Sequence, residues 1–416
     1  MRDYSYYVGP TYDPRVAHVF EVAVCVGKAI PGTPTTDPDD WFYENKIIKA
    51  TARMGAFGTS NPCIGAVVAS TCELQLYTGT VERLQDLISE FLPDVIETNV
   101  PIWFAWRLKN CVGYGEYWSS WCIDGPWFSD SWSYDPLTGT MRITGIDNLG
   151  LGDSDYLSII WRTCFASDSV TSEQMSAVVD DIADILGVEI TARAASLISA
   201  NNCAVPRPDE GATVREVLRW CAGICGCNAR IAFRYNPQPG TTSVTARGML
   251  DFLPFNMCGE TTDLYNAFAN IRFGAPSDSN IYWDVLMDNT STDTSYSSAK
   301  DEHTIVTTRF EMENPLCTSD AQCDTVLASL RAPRTDGLPD FVYTPATITD
   351  ALLDPRAEPG DIINVAIPKY DGSTYSAQVY IGEIQRTYDA SMKATITAPD
   401  MGRREIDRWT VEEWQQ

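Results

Sequence analysis

Short segments in which apolar and polar side chains alternate occur near both ends of this chain, and they constrain its fold strongly. In residues 71–77, cysteine and leucine alternate with threonine, glutamate, glutamine and tyrosine. In residues 394–398, alanine and isoleucine alternate with threonine. A period of two places one set of side chains on each face of a β-strand. The chain is therefore predicted to form half-buried sheets towards both ends.

Two helical patterns interrupt the strands in the middle of the chain. Residues 172–186 carry methionine, valine, isoleucine and leucine at helical spacing, and Gly187 follows where a left-handed residue ends a helix. Residues 213–227 begin with Thr213 and Glu216, which form a capping box ahead of a second apolar stripe. Two strands follow this helix. The sequence therefore predicts a compact α/β unit between two β-rich ends.

A chain of 416 residues is too long for one ordinary core and is predicted to form several domains. The predicted division is a β-rich domain over 1–150 with a short helix at 81–92, an α/β insert over 151–255, a second β-rich domain over 256–403 and a tail over 404–416. The second β-rich domain is predicted to contain an exposed loop at 288–301 and a helix at 318–332.

The stretch 352–365, LLDPRAEPGDIINV, predicts a turn followed by a strand. Pro359 presets φ and Gly360 accepts a positive φ, which together favour a tight turn. Asp361 can accept hydrogen bonds from nearby backbone N–H groups. The β-branched residues after it begin a strand.

The formal charge of −26 limits the partners of this protein. Proteins that bind nucleic-acid phosphates or anionic membrane surfaces need clustered lysine and arginine. A strongly acidic surface instead suits a protein that must not adhere to DNA passing nearby.

No targeting or membrane-spanning segment is predicted. The first residues contain no apolar signal-peptide core, and no run approaches the ~18 apolar residues of a membrane span. Folding in a cytosol is therefore expected. The thirteen cysteines fit that expectation as buried, reduced thiols, and their odd number disfavours a fully paired disulfide framework.

No catalytic residue, cofactor or metal site is predicted, and the protein is expected not to be an enzyme. The two histidines, His18 and His303, have no nucleophile motif such as G-x-S-x-G beside them. The carboxylates Asp180, Asp181 and Asp184 are interpreted as a solvated helix face.

Three cysteines lie close together in the second helical pattern, at Cys221, Cys225 and Cys227. A zinc site would need another cysteine pair or a histidine nearby, and the sequence has none there. Core packing is the favoured interpretation, with metal binding and redox chemistry as the alternatives.

Tryptophans are concentrated between residues 103 and 132 and occur again in the tail. Tryptophan is a usual anchor of subunit interfaces, but its ring can also stack on sugars. A glycan-binding or glycan-hydrolysing role for this stretch is therefore an alternative. The predicted interface candidates are Trp103, Trp106, Trp118, Trp121, Trp127, Trp409 and Trp414.

Four motifs follow one another in a characteristic order. They are ITGIDNL at 143–149, T-x-R-E-V-L-x-x-x-A-G at 213–223, N-P-L at 314–316 and P-G-D at 359–361. This order resembles the tail hub, or baseplate hub, proteins of tailed bacteriophages, and the resemblance covers roughly residues 1–403. No appended peptidase, lysozyme-like or fibre module is seen.

The resemblance implies an α+β, mostly β fold with two tube-like β-barrel domains, over 1–150 and 256–403, flanking the α/β insert. Three copies would then form a pseudo-six-fold ring, since each copy would contribute two similar barrels. Such a ring would adapt a hexameric tail tube to a three-fold tip.

The resemblance also implies partners and a location. Tail tube or distal tail proteins would lie above the ring, and tip, needle or receptor-binding proteins below it. Genomic DNA would pass through without specific binding. The protein would be part of the virion tail, assembled in the host cytoplasm. A glycan-acting tail protein and a cell-surface adhesin are the alternatives.

Overall fold

The computed structural model describes most of the chain. The described residues are 18–27, 41–43, 45–55, 64–79, 99–111, 121–237, 244–255, 261–264, 270–274, 282–298, 308–331, 345–355 and 357–399. The predicted helix at 81–92 and the tail at 404–416 lie outside them.

Strands make up most of the regular structure, as the sequence predicts. They are β1 (His18–Val26), β2 (Phe42–Tyr43), β3 (Ile47–Gly55), β4 (Val67–Val68), β5 (Thr71–Tyr77), β6 (Pro101–Cys111), β7 (Cys122–Asp135), β8 (Thr140–Ile146), β9 (Ser172–Gln174), β10 (Glu189–Ile190), β11 (Ala204–Pro206), β12 (Cys227–Pro237), β13 (Val244–Pro254), β14 (Thr261–Asp263), β15 (Asn270–Phe273), β16 (Tyr282–Asn289), β17 (Thr294–Ser297), β18 (Thr308–Glu313), β19 (Ala346–Ala351), β20 (Ile362–Pro368), β21 (Thr374–Tyr380), β22 (Glu383–Thr387) and β23 (Ala394–Ala398).

Four α-helices lie within the described residues: α1 (Met175–Leu186), α2 (Ala192–Ala200), α3 (Val214–Ile224) and α4 (Asp320–Arg331). Helix α1 begins later than predicted because residues 172–174 pair with β11 instead. Thr213 caps α3 by accepting a hydrogen bond from the Glu216 N–H, and Gly187 ends α1 with φ +66°, as predicted. No helix of the described residues is long and apolar enough to cross a membrane.

One large sheet contains strands from both ends of the chain. Its eleven strands lie in the order β15-β19-β23-β22-β3-β5-β8-β7-β6-β1-β2. All neighbours from β15 to β7 are antiparallel. The two ends of the chain meet where β22 pairs with β3, and Ile384 there lies opposite Met54.

The two ends of the chain contribute four strands each with the same internal order. The N-terminal set runs β3-β5-β8-β7 and the C-terminal set runs β15-β19-β23-β22. Each set therefore has its first, second, fourth and third strands side by side.

The expectation of two closed barrels is not met within the described residues. The large sheet runs from β15 to β2 and its end strands do not pair with each other there. The strands of the C-terminal module do not close into a barrel, because the edge of β22 that faces away from β23 pairs with β3. The two similar modules are thus adjacent parts of one open sheet.

The α/β unit packs beside this sheet. Its four strands lie in the order β10-β13-β12-β4, and helix α3 contacts β12. Strand β4 comes from the N-terminal end and pairs in parallel with β12 through Val67 and Val68. The Trp127 and Phe233 rings, 4.6 Å apart, join β7 to β12 across the contact.

Two small sheets complete the C-terminal end. Strands β14, β20 and β21 form one, and β17, β16 and β18 form the other, against which α4 packs. The predicted loop at 288–301 contains a tight turn between β16 and β17. The Asn289 side chain accepts hydrogen bonds from the N–H groups of Ser291 and Thr292 and donates to the Cys317 carbonyl.

Candidate functional site

The two four-stranded modules share one continuous polar face. Cross-strand neighbours continue across the junction between the modules: Gln385 lies opposite Arg53, and Arg53 lies opposite Thr71. We call this surface the polar face. It consists of Asn270, Arg272, Thr347, Thr349, Thr395, Thr397, Glu383, Gln385, Lys49, Thr51, Arg53, Thr71, Glu73, Gln75, Arg142, Thr144, Ser131 and Ser133.

The opposite face of the same strands is buried. Leu74, Ile143, Ile384 and Ile396 are at most 1% exposed and point into the core. Because side chains alternate along a strand, their neighbours must point to the other side. Threonine and serine make up half of the polar face, so the sheet separates an apolar core from a hydroxyl-rich surface.

The central charges of the polar face are bound to one another. Glu73 accepts from Lys49 at 2.5 Å and lies 3.8 Å from Arg142. Arg53 and Glu383 form an ion pair at 2.6 Å across the β3–β22 junction. The hydrogen bond from Lys49 lowers the pKa of the Glu73 carboxyl, and the bond to Glu383 raises the pKa of the Arg53 guanidinium.

These ion pairs affect what the surface can bind more than they affect the free energy of unfolding. Their side chains remain partly exposed, and such pairs contribute little to the free energy of unfolding. A cation that is held by a carboxylate has less free charge to offer a phosphate group. The polar face is therefore suited to contact with water and poorly suited to gripping a polyanion.

A buried carboxylate holds the two ends of the chain together behind this face. Asp124 on β7 is fully buried and accepts hydrogen bonds from Tyr388 Oη at 2.7 Å and Trp106 Nε1 at 3.3 Å. The guanidinium of Arg386, on β22, lies 3.8 Å from the same oxygen. Arg386 also donates to the Ala357 carbonyl at 2.9 Å. The N- and C-terminal modules thus share one buried polar network.

The predicted turn at 352–365 forms and connects the C-terminal module to the α/β unit. Gly360 has φ +100° and its N–H donates to the Ile381 carbonyl. Asp361 accepts a hydrogen bond from the Glu358 N–H, as the sequence predicts. The Glu358 carboxylate lies 3.6 Å from Arg230 on β12.

Arg230 belongs to a second buried network around Asp251 on β13. The Asp251 carboxylate contacts Arg230 at 3.3 Å, forms an ion pair with Arg193 and accepts from Thr191 Oγ1 at 2.7 Å. Burial would raise the pKa of Asp251, but the two guanidinium groups outweigh it and the pKa is lowered. The charged form of Asp251 therefore stabilises the fold above the ordinary carboxyl pKa, and this contribution is lost as the pH falls below it.

One carboxylate that was interpreted as solvated is buried. Asp180 and Asp184 are exposed, as predicted, but Asp181 is 2% exposed. It accepts hydrogen bonds from Tyr156 Oη at 2.6 Å, from both the N–H and the hydroxyl of Thr163, and from the Cys164 N–H. The interpretation fails for Asp181 because the residues that bind it lie in a distant loop, at 156–164.

The predicted tryptophans of the 103–127 stretch lie inside the chain where they are described. Trp103, Trp106 and Trp127 are at most 1% exposed, and Trp121 is 4% exposed with the Arg107 guanidinium 4.6 Å above its ring. Core packing within this chain accounts for them, and their role in an interface stays a prediction. Trp118, Trp409 and Trp414 lie outside the described residues.

Trp132 was not among the predicted interface residues, yet it is 41% exposed. It lies on the second half of β7, opposite Ile143, where the core no longer covers it. Among the described tryptophans between 103 and 132 it is the most exposed. The other large apolar residues that are exposed in the described part of the chain are Val19, Ile48, Tyr77, Leu137, Ile160, Trp161, Tyr370 and Tyr375.

The three clustered cysteines pack into the core around α3. Cys221, Cys225 and Cys227 are free and buried, and burial raises the pKa of each thiol. In the part of the chain that the structure describes, no group of three or more histidine, cysteine, aspartate or glutamate residues could hold a metal ion.

No protein-family model matches the sequence, and no curated protein matches it. Solved structures with a similar fold include the 43 kDa tail protein of prophage MuSo2 from Shewanella oneidensis, at 12% identity over 92% of this chain and 98% of that one, with a TM-score of 0.45. They also include a tail protein from Neisseria meningitidis MC58, at 13% identity over 91% of this chain and 95% of that one, TM-score 0.47.

A third similar structure is the prophage tail protein gp18 from Listeria monocytogenes EGD-e. It is 12% identical over 91% of this chain and 94% of that one, with a TM-score of 0.44. With identities this low and TM-scores below 0.5, none of the three assigns the chain to a family.

Proposed function

We propose that this chain is a structural protein of a bacteriophage tail, acting as a hub whose copies form a ring around the DNA passage. In this proposal it is not an enzyme. The observation that carries the proposal is the repeated strand order of its two modules, which share one polar face across the β22–β3 junction. The hub resemblance of the sequence likewise implies two similar β modules in each chain, and the three solved structures above are themselves described as tail proteins.

The repeat predicts how copies join. Within the chain, the third strand of the C-terminal module, β22, pairs with the first strand of the N-terminal module, β3. The equivalent strands at the outer ends are β7 and β15. Pairing β7 of one copy with β15 of the next would repeat the same junction and close a ring.

Both outer edges are suited to this pairing. Strand β6 pairs with β7 only as far as Phe128, so residues 131–135 have no partner strand on that edge among the described residues. Strand β15 ends the sheet and pairs there with β19. Unpaired strand edges seek a partner strand, and ring closure would satisfy both.

The side chains on these edges are complementary. Trp132 and Tyr134 of β7 lie on the core side, as do the half-buried Ile271 and Phe273 of β15. Joined edges would continue the apolar layer across the junction. On the polar face, Arg272 of β15 would come near the carboxylate-bearing end of β7 at Asp135.

The size of such a ring is compatible with a DNA passage. Three copies would place eight strands each in the wall, about 24 strands spaced about 4.8 Å apart. With an ordinary barrel tilt of about 40°, the side-chain-lined bore would be on the order of 30–40 Å wide. The polar face would line it, and paired cations would offer the phosphates little to bind.

Light scattering coupled to size-exclusion chromatography tests the ring. We expect the protein to elute at three times its 46.1 kDa chain mass. Trp132→Glu should dissociate it into single chains, because a carboxylate would be buried against Ile271 and Phe273 of the next copy. Trp161→Glu, the same change at an exposed site in the α/β unit, should leave the mass unchanged.

The two ways in which this test can fail are distinguishable. A single-chain mass for the unaltered protein at tens of micromolar would contradict the ring itself. If the Trp132→Glu variant remains a trimer, the ring would still stand, but the proposed β7–β15 junction would be wrong.

A further inference from the structure

An exposed pair of large apolar residues stands at the tip of a loop in the α/β unit. Ile160 is 91% exposed and Trp161 is 69% exposed. The two lie on a loop between the short 3₁₀ turn at 156–158 and strand β9. Single exposed apolar residues are common, but two consecutive ones that are mostly exposed to water cost solvation free energy.

The loop on both sides of this tip is fixed to the core. Ile159 before it and Phe165 after it are buried. Asp181 on α1 accepts hydrogen bonds from Tyr156, from both donors of Thr163 and from Cys164, so one buried carboxylate holds the loop at three residues.

The loop's own arginine adds to this rigidity. The Arg162 guanidinium turns back and donates to the Ile159 carbonyl at 2.8 Å and towards the Phe165 carbonyl at 3.5 Å. Both ends of the tip are thus tied together. A tip held in one geometry loses little conformational entropy when a partner binds, which is how binding hot spots are prepared.

The helix that holds this loop also carries two exposed carboxylates. Asp180 and Asp184 lie one turn apart on the exposed face of α1, the helix whose Asp181 binds the loop. Neither forms an ion pair with another described residue. The nearby cations are occupied, since Arg162 binds carbonyls of its own loop and Arg207 binds Asp168 at 2.7 Å together with two carbonyls.

We propose that the Ile160–Trp161 tip is a docking site for a basic protein segment in which an apolar side chain lies between lysine or arginine residues. The apolar side chain would contact the indole and the isoleucine, and the cations would meet the carboxylates of Asp180 and Asp184. A second copy that docks through the same tip is disfavoured as the occupant, because it would bring the carboxylates of Asp180 and Asp184 towards those of its partner. This site does not depend on the ring.

Fluorescence polarisation with a defined probe tests the site. The probe is a fluorescein-labelled twelve-residue peptide of lysine and leucine, and its counterpart has glutamate in place of lysine. We expect the lysine peptide to bind the unaltered protein, with affinity falling as salt rises, and the glutamate peptide to bind at least about tenfold more weakly.

Substitutions locate the binding. The Ile160→Ser/Trp161→Ala double variant should weaken binding of the lysine peptide by about tenfold or more, since exposed tryptophans dominate such contacts. Asp180→Asn/Asp184→Asn should weaken it severalfold and reduce its salt dependence. Tyr370→Ser, at a fully exposed hairpin tip elsewhere, should leave it unchanged. All five positions are exposed, so thermal unfolding should be unaltered and loss of folding would be detected.

Three results would overturn the proposal. The tip variant could bind the peptide as well as the unaltered protein does. Tyr370→Ser could weaken binding equally, which would make the binding a general property of an acidic surface. An N-acetylglucosamine tetramer could bind in a Trp161-dependent manner while the peptide does not, which would assign the tip to glycans.

Discussion

Replacing Asp124 with alanine is expected to lower the free energy of unfolding by about 3–5 kcal/mol, the usual result of removing one partner of a buried charge pair. The change leaves Arg386, which is 2% exposed, without its carboxylate, and Tyr388 and Trp106 without the acceptor described above. Asp124 lies where the N- and C-terminal modules meet, so both modules should unfold at a lower urea concentration. Urea unfolding followed by fluorescence and circular dichroism measures it.

Asp135→Ala is the matched control for this prediction. Asp135 lies on the same strand, β7, but is fully exposed, and its bonds are to the adjacent turn. Its removal should leave the unfolding midpoint nearly unchanged. An Asp124→Ala variant as stable as the control would show that Arg386 is solvated or paired in another way, and the buried network would then not hold the modules together.

The second large effect is expected on DNA binding. Reversing two glutamates of the polar face, in Glu73→Lys/Glu383→Lys, removes both carboxylates that hold Lys49, Arg53 and Arg142. The two introduced lysines would then form a cluster of five cations with Lys49, Arg53 and Arg142 at the centre of the polar face. Such a patch should bind duplex DNA non-specifically with a dissociation constant on the order of 1–100 µM at low salt, and log affinity should fall with log salt at a slope of about −4.

The unaltered protein should show no DNA binding under the same conditions. Asp180→Lys/Asp184→Lys is the matched control, since it changes the net charge by the same amount on helix α1, away from the polar face. Gel-shift titration over a range of salt concentrations measures all three proteins. Equal binding by the control, or binding by the unaltered protein, would contradict the idea that paired charges keep this face from adhering to DNA.

Local signals in the sequence predicted local structure well. The N-cap at Thr213, the glycine stop at Gly187 and the turn around Gly360 all form, because each depends on residues within a few positions of one another. Period two at 71–77 and 394–398 correctly predicted strands with one buried face. Helix α2 was missed because its alanine-rich sequence has only a short apolar stripe.

Contacts between distant residues could not be predicted in the same way. Asp181 and Asp124 have acidic side chains in otherwise apolar surroundings, and that setting was the one available signal that they are buried. Their partners lie up to 264 positions away, at Tyr388 for Asp124, so no local pattern identifies them. The modules are joined by pairing between β22 and β3, whose residues are also far apart in sequence. Two separate barrels were predicted for this reason.

The exposure of Trp132 is another feature that depends on contacts between distant residues. Trp132 and the buried Trp127 both lie on β7. What distinguishes them is that β6 stops pairing with β7 between the two positions, so Trp127 is covered and Trp132 is not. The topology of the sheet therefore decides which of the two tryptophans is exposed.

Electron cryomicroscopy of the assembled protein tests most directly whether the shared face of the two modules encloses a passage. We expect a three-fold ring in which β7 of each copy pairs with β15 of the next, and in which Glu73, Arg142 and their neighbours point towards the axis. Isolated chains, or a ring whose axis is bordered by the α/β units while the polar face points outwards, would contradict it.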